Sequence, residues 1–134
     1  MGTNSSAEHE FESQGSPLED CPNTPNCVCT HASRPEQAMP PLPFRCSAES
    51  TIDRLAKLLE TLPRVRVVER RVDYLHVVFV SLVFRFKDDV EFYANERRGL
   101  LHFRSASRLG YSDFGANRRR MEGICERLRE LLRV

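Results

Sequence analysis

The fold class is decided by one stretch of sequence, Tyr74-Leu75-His76-Val77-Val78-Phe79-Val80-Ser81-Leu82, which is apolar at nearly every position. Successive side chains of a β-strand point to opposite faces, so Leu75 and Val77 would share one face and Tyr74 and Val78 the other. A strand with helices on one side and water on the other should alternate apolar and polar residues, and this one does not. We therefore expect cover on both faces, and we place the strand inside the sheet, because an apolar edge strand would aggregate.

Three more strands are predicted around it, over residues 64–71, 89–94 and 100–106. Asp73 marks a tight turn and residues 95–99 a hairpin loop, so the connections are short and the strands should form an antiparallel meander. The sequence does not determine what covers the second face of this strand. The cover could be a proline-rich segment of the same chain, sheet curvature, a second copy of the chain, a protein partner or an apolar ligand.

A helix is predicted on each side of this meander. The first has apolar residues at three- and four-residue spacing, is capped by Ser47 or Ser50, and ends at Pro63. The second begins near Asp113, runs to Leu132, and carries an apolar stripe of Phe114, Met121, Cys125, Leu128 and Leu132. The order of helix, four antiparallel strands and helix predicts an α+β two-layer sandwich with both helices on one face.

The first third of the chain has a different composition. Seven of the eight prolines lie in residues 1–43, among Ser, Asn and Thr and without apolar periodicity. Such a segment buries too little apolar surface to offset its ordering entropy, so we expect a mostly disordered tail over residues 1–43 and an α+β domain over residues 44–134. Residues 40–44 could dock on the domain as an extended strap.

Length and charge exclude some protein classes. The chain has 134 residues, of which 40% are hydrophobic and 29% charged, and a net charge of +1, so no overall field favours an acidic partner. No segment approaches the roughly 18 apolar residues of a membrane-spanning helix, and residues 1–12 do not resemble a secretory signal. We expect a soluble cytoplasmic or organellar protein. Met1-Gly2-Thr3-Asn4-Ser5-Ser6 fits the myristoylation pattern, which would add weak membrane association.

Polar residues concentrate where the last strand meets the last helix. The start of the third strand should lie beside this turn, and one arginine of the last helix falls on its apolar stripe, where a charge needs a partner. If Phe92 stands opposite Phe103, then Glu91 stands opposite Arg104. The predicted cluster consists of Asp88, Asp89, Arg104, Ser105, Ser107, Arg108, Asp113, Asn117 and Arg118.

Three interpretations of this cluster stay open. It could simply fix the turn, as buried ion networks often do. It could bind an anion or a polar ligand, because arginines and free amides at a helix start suit a carboxylate or phosphate. It could also hydrolyse a substrate with Ser105 or Ser107 as nucleophile, although the sequence has no G-x-S-x-G elbow and no histidine beside either serine.

The N-terminal cysteines form a separate pattern, C-x5-C-x-C-x-H, with Cys21, Cys27, Cys29 and His31. Four such ligands could hold zinc or a soft metal, but the spacing is not a common one. A structural or redox pair, with a local disulfide under oxidising conditions, is the alternative. The odd total of five cysteines and the missing secretion signal favour reduced thiols over a disulfide framework. Cys125 is predicted to be a core residue.

Nucleic acid is not an expected partner. Arg118, Arg119 and Arg120 are followed by Glu122 and Glu126 at helical spacing, which is typical of a salt-bridged solvent face rather than a basic stripe. No aromatic platform accompanies these arginines.

Three pieces of the chain resemble the uncharacterised domain-of-unknown-function family fourteen ninety-nine. They are CPNTPNCV (21–28), FKDDVEF (86–92) and RSASRLGYSDFGANR (104–118). The resemblance extends from Cys21 to the C-terminus and implies no reaction. Our first hypothesis is therefore a non-enzymatic binding or interaction module without a cofactor, whose partner is a small anion, an apolar ligand, a protein or a second copy of the chain through the outer sheet face. The alternatives are an enzyme for an anionic or ester substrate and a thiol or metal protein.

Overall fold

The computed structural model describes residues 15–132, which form two α-helices and a six-stranded antiparallel sheet. The strands are β1 (Cys27–Cys29), β2 (Leu42–Pro43), β3 (Val65–Arg71), β4 (Tyr74–Val80), β5 (Lys87–Asn95) and β6 (Leu100–Ser107). The helices are α1 (Ala48–Glu60) and α2 (Ala116–Leu131), and Pro35–Gln37 form a short 3-10 turn. The sheet order is β1-β6-β5-β4-β3, with β2 also paired to β6. The α+β class and the central order of helix, four strands and helix are confirmed.

Helix α1 begins after the predicted cap Ser47, and it ends at Glu60, three residues before the predicted end at Pro63. The Ser47 hydroxyl accepts a hydrogen bond from the Ser50 amide at 3.1 Å, which caps one of the free donors of the first turn. Ile52, Leu55 and Leu59 are buried on the face that meets the sheet. This apolar face fixes how the helix packs on the sheet.

Three of the four meander strands, β4, β5 and β6, bury one continuous face under the two helices, whereas β3 is exposed over most of its length. Leu75, Phe92 and Phe103 stand side by side across β4, β5 and β6 and belong to the same apolar core as α1 and α2. The hairpin between β5 and β6 closes at Gly99, whose φ is +67° and whose added Cβ would lie 3.1 Å from the carbonyl oxygen of Phe44. Glycine is needed there because other residues adopt this φ only at a cost.

Residues 15–43 are part of the domain, so the prediction of a disordered tail reaching residue 43 is wrong for this segment. β1 and β2 both pair with β6, and Val28, Met39 and Leu42 enter the main core. The sheet therefore has six strands rather than four. The composition of the segment did not predict an ordered structure, because the segment has no periodic apolar face. It is held instead by pairing with the open edge of β6. The strap prediction for residues 40–44 is confirmed.

Residues 1–14 lie outside the described residues. The predicted myristoylation pattern at Met1–Ser6 falls in that part of the chain. Within the part that the structure describes, no helix is long and apolar enough to cross a membrane.

The expectation that both faces of β4 are covered is confirmed. Leu75 and Val77 are buried under the helices, and Tyr74 and Val78 are buried on the outer face. Over β1 and β6, the outer cover is the N-terminal segment, which packs Cys21, Cys27, Cys29 and Ala106 into a second small apolar cluster. Over β4, side chains of the sheet itself supply cover, as when the Arg71 guanidinium lies 4.4 Å from the centre of the Tyr74 ring. The two-layer sandwich thus carries a partial third layer.

Two element boundaries differ from the predictions. β4 ends at Val80, so Leu82 leaves the sheet for the turn before β5. α2 begins at Ala116, and Phe114, predicted on its apolar stripe, instead has a φ of +53° and is 86% exposed. The rest of the stripe is buried. Apolar composition extended both predicted elements, but these apolar residues face solvent.

Candidate functional site

The predicted polar cluster is divided between the two faces of the sheet. Asp88 stands opposite Ser107 and points to the helices, whereas Asp89 stands opposite Ala106 and points to the outer face. This division follows from the strand itself, because neighbouring residues alternate in direction. The nine predicted residues therefore do not form one site.

On the helix face, Asn117 is the centre of what we call the inner network: Asp88, Ser105, Ser107, Asp113, Asn117 and Arg120. Asn117 is fully buried. Its side-chain carbonyl accepts from the Ser105 hydroxyl at 2.6 Å and from Arg120 at 2.9 Å. Its amide nitrogen contacts the Ser107 hydroxyl at 2.9 Å and donates to the Asp113 carboxylate at 2.7 Å.

Arg120, which the sequence argument did not select, occupies the place predicted for Arg118. The Arg120 guanidinium donates to the Asp88 carboxylate at 2.7 Å and lies 4.7 Å from the centre of the Phe79 ring. Arg118 instead donates to the carbonyl oxygens of Glu36 at 2.8 Å and Ala38 at 3.3 Å, which ties α2 to the N-terminal segment. A signal was available, since Asn117 and Arg120 are three residues apart and share a helix face.

Asp113 binds the free amides at the start of α2 from a position two residues before the cap residue Gly115. Its carboxylate accepts from the amide of Gly115 at 2.8 Å and from that of Asn117 at 3.0 Å. Burial alone would raise the pKa of Asp113, but these bonds and the Asn117 side chain stabilise the charged form and hold the pKa below its usual value. The carboxylate is thus a fixed anion at the helix start.

Of the two candidate nucleophiles, Ser107 is partly exposed and Ser105 is held inside the inner network. Ser105 is fully buried, and its hydroxyl is bonded to Asn117. A nucleophile must be able to reach a substrate, and this one lies beneath the helix. Asn26 extends the network by donating to the carbonyl oxygen of Gly110 at 2.7 Å, so the segment between β6 and α2 is held from both sides.

On the outer face, Asp89 accepts two hydrogen bonds from the Arg108 guanidinium, at 2.8 and 3.0 Å, and contacts His76 at 2.8 Å. The bonds from Arg108 lower the pKa of Asp89, burial opposes this, and His76 adds to it. Paired bonds of this kind are the strongest that a surface carboxylate makes. They hold Arg108 and the segment after it against β5.

The predicted pairing of Glu91 with Arg104 is confirmed. Phe92 stands opposite Phe103, and the two charged groups approach to 3.8 Å on the outer face. Glu91 also accepts from the Tyr74 hydroxyl at 2.5 Å, and burial followed by this bond raises the tyrosine pKa. Tyr74 and His76 were not among the predicted site residues. The register of β4 against β5 was the missing information.

The cysteine pattern is resolved into a disulfide and a buried thiol. Cys21 and Cys27 are bonded to each other, so the expectation of reduced thiols is corrected at this pair. Cys29 is fully buried, and burial raises its pKa to about 11. His31 stacks on His102, with 4.0 Å between the ring centres. In the described range 15–132, no three His, Cys, Asp or Glu side chains are placed to hold a metal ion. The spacing of Cys21 and Cys27 in the sequence was not enough to predict that the two thiols lie within bonding distance.

One surface was missed by the sequence argument altogether. The β4–β5 turn and the β6–α2 segment lie together at one end of the sheet, where the Arg108 amide donates to the Lys87 carbonyl at 3.0 Å. In the described chain, seven of the eleven exposed large apolar residues are found there. We call this surface the loop end: Leu82, Val83, Phe84, Phe86, Leu109, Tyr111 and Phe114. The available signal was the apolar residues beside Arg85 and Gly110, in the two predicted connections. Only Leu82 and Phe114 of this surface lie within the predicted strand and helix.

Comparison with known proteins identifies the family and nothing finer. A family model described as "Protein of unknown function (DUF1499)" matches residues 17–128. No curated protein and no solved structure matches the chain. The match begins before β1, in agreement with the packing of the N-terminal segment onto the sheet. The chain therefore belongs to the DUF1499 family of proteins of unknown function.

Proposed function

We propose that the protein is a non-enzymatic binding module that docks on an anionic lipid surface through its loop end. The observation that carries this proposal is the projection of apolar side chains from two adjacent turns. Phe84 is 74% exposed and stacks on Phe86, with 5.5 Å between ring centres, so both rings are presented together. Exposed apolar groups this concentrated mark an interaction surface.

The charges around the loop end favour a lipid surface over an apolar protein partner. Arg64, Arg66, Arg85 and Lys87 lie at the base of the β4–β5 turn, and Phe84 lies at its middle. This arrangement matches an anionic bilayer. The apolar side chains at the tip would enter the hydrocarbon, and the cationic side chains behind them would contact the anionic headgroups. The net charge of +1 is therefore unevenly distributed.

The polar cluster has a positioning role in this proposal. The inner network holds Asp113, and Asn26, which extends it, holds Gly110. On the outer face, Asp89 holds Arg108. These contacts fix both ends of the segment that carries Leu109 and Phe114. A fixed segment loses less conformational entropy on docking than a free one would.

Vesicle sedimentation tests the proposal. The wild-type chain should pellet with phosphatidylcholine vesicles that contain phosphatidylserine and remain in the supernatant with phosphatidylcholine alone. Phe84→Ser/Phe86→Ser should weaken the binding at least about tenfold, because each ring that enters hydrocarbon contributes about 2 kcal/mol.

The matched control is Val68→Ser/Val72→Ser, which removes two exposed apolar side chains from β3 and the following turn, outside the loop end. The control should bind like the wild type. Equal loss in both variants, or no binding to either vesicle by the wild type, would contradict the proposal.

A further inference from the structure

A basic groove lies on the outer face of the sheet beside the loop end. It is open, has a volume of about 350 Å³, and is lined by Arg64, Val65, Arg66, Val80, Arg85 and Lys87. The register explains how three of the cations meet. Val80 pairs with Lys87 on one side and hydrogen-bonds to Arg64 on the other, and Arg66 is two residues further along β3. Side chains two residues apart share a face.

The groove has cations without matching anions. Its lining contains three arginines and one lysine and no acidic residue. The nearest acid in register, Asp89, is already held by Arg108 and His76. In the part of the chain that the structure describes, none of the four lining cations has a carboxylate within salt-bridge distance. Four like charges in one groove repel each other, and a bound polyanion relieves that repulsion.

Two of the four cations sit on unusual backbone. Arg64 has a φ of +57° and Arg85 a φ of +60°, a region that glycine occupies more easily than arginine. The Arg64 side chain donates to the Val80 carbonyl at 3.2 Å, so it is held beside Val80 in the lining of the groove. The backbone at both positions thus carries arginine where glycine, which has no Cβ, would fit with less strain.

We propose that this groove binds the phosphomonoester headgroup of an anionic lipid. A phosphomonoester carries a charge of about −1.5 to −2 at pH 7 and three acceptor oxygens, whereas a phosphodiester carries one charge. Guanidinium groups match phosphate oxygens in pairs, and several together favour the more highly charged headgroup. A headgroup is the preferred source because the groove opens beside Phe84 and Phe86, which the proposed function places in the bilayer. The inference rests on that proposed function.

The test compares vesicles of equal total charge that contain either phosphatidic acid or phosphatidylserine. The wild type should bind the phosphatidic acid vesicles about tenfold more tightly, since two extra charge-assisted contacts are enough for such a ratio. Arg66→Gln/Arg85→Gln should abolish this preference. The control, Arg45→Gln/Arg97→Gln, removes the same charge from exposed positions at the opposite end of the sheet and should keep it.

Folding is checked with Arg85→Gly. This substitution relieves the positive φ, so it should leave thermal stability nearly unchanged while the preference for phosphatidic acid falls. A loss of preference in this variant cannot then be attributed to unfolding.

The outcomes separate the two proposals. Binding of both vesicles with equal affinity, dependent on Phe84 and Phe86, would leave the proposed function standing and overturn the groove assignment. No binding to any vesicle would overturn both. Calorimetry with glycerol 3-phosphate tests for a soluble ligand. If the wild type binds this ester, Arg66→Gln/Arg85→Gln does not, and the protein shows no preference among vesicles, then the ligand is a soluble phosphate ester and the lipid source is overturned.

Discussion

At the scale of single residues, Asn117 shows how one buried amide can organise a turn. Its oxygen and nitrogen together contact Ser105, Ser107, Asp113 and Arg120, and its nitrogen also donates to the carbonyl oxygen of Asn26 at 3.2 Å. Ser105 is fully buried and Arg120 is partly buried, and Asn117 is the partner that these groups share. Buried polar networks stabilise a unique arrangement when every member is satisfied.

We therefore expect Asn117→Ala to destabilise the protein by about 3 kcal/mol, because it removes these bonds and leaves the buried Ser105 hydroxyl without its acceptor. Urea unfolding measures the loss. Asn23→Ala, at an exposed position of the N-terminal segment, is the control and should stay within about 0.5 kcal/mol of the wild type. Similar midpoints for the two variants would show that the network contributes little.

At the scale of elements, the N-terminal segment depends on a covalent link. The disulfide joins Cys21 to Cys27 at the start of β1, and Gln37 donates to the carbonyl oxygens of Pro22 and Thr24 at 2.7 and 2.8 Å. These contacts replace the periodic apolar face that the segment lacks. They position β1 along the edge of β6.

Reduction of this disulfide should lower stability by about 2 kcal/mol, the value expected for a short closed loop. Hydrogen exchange should become faster first at the amides of β1, because this strand then loses its covalent anchor. Chemical denaturation with and without dithiothreitol gives the energy. Cys21→Ala/Cys27→Ala should match the reduced wild type and show no further response to the reductant, and a reductant effect that persists in this variant would contradict the assignment.

How far the sequence could predict these elements depends on what holds each one. α1 and the meander were predicted because their apolar periods are local and independent of the rest of the chain. β1 and β2 were missed because they are held by β6, which lies far away in sequence. In the candidate site, strand register alone was enough to predict the pairing of Glu91 with Arg104. The prediction placed Arg118 where the structure has Arg120, because that position depends on the exact start of α2. The loop end was missed because an apolar residue is normally predicted to be buried.

At the scale of the whole molecule, the sheet is covered differently on its two faces. The helices form a continuous apolar layer on one face, and the N-terminal segment forms a smaller, more polar layer on the other. His102 lies on β6 and faces this segment, with Thr30 bonded to its Nδ1 at 2.8 Å and His31 stacked against it. Protonation of His102 is therefore linked to the stability of the entire fold.

Burial, followed by the charges of His31 and Arg98, lowers the pKa of His102 from 6.5 to about 3. The unfolded chain thus binds a proton below pH 6.5 that the folded chain does not bind until about pH 3, so this group makes stability fall as pH decreases across that window. Its contribution is at most about 1.4 kcal/mol per pH unit. The pKa values of Asp89 and Asp113 are lowered in the folded protein. These two carboxylates therefore reduce stability only when the pH falls below the ordinary carboxylate pKa. Urea unfolding between about pH 4 and 6 should therefore show a shallower dependence on pH in His102→Gln than in the wild type, and parallel dependences would show that His102 is not the titrating group.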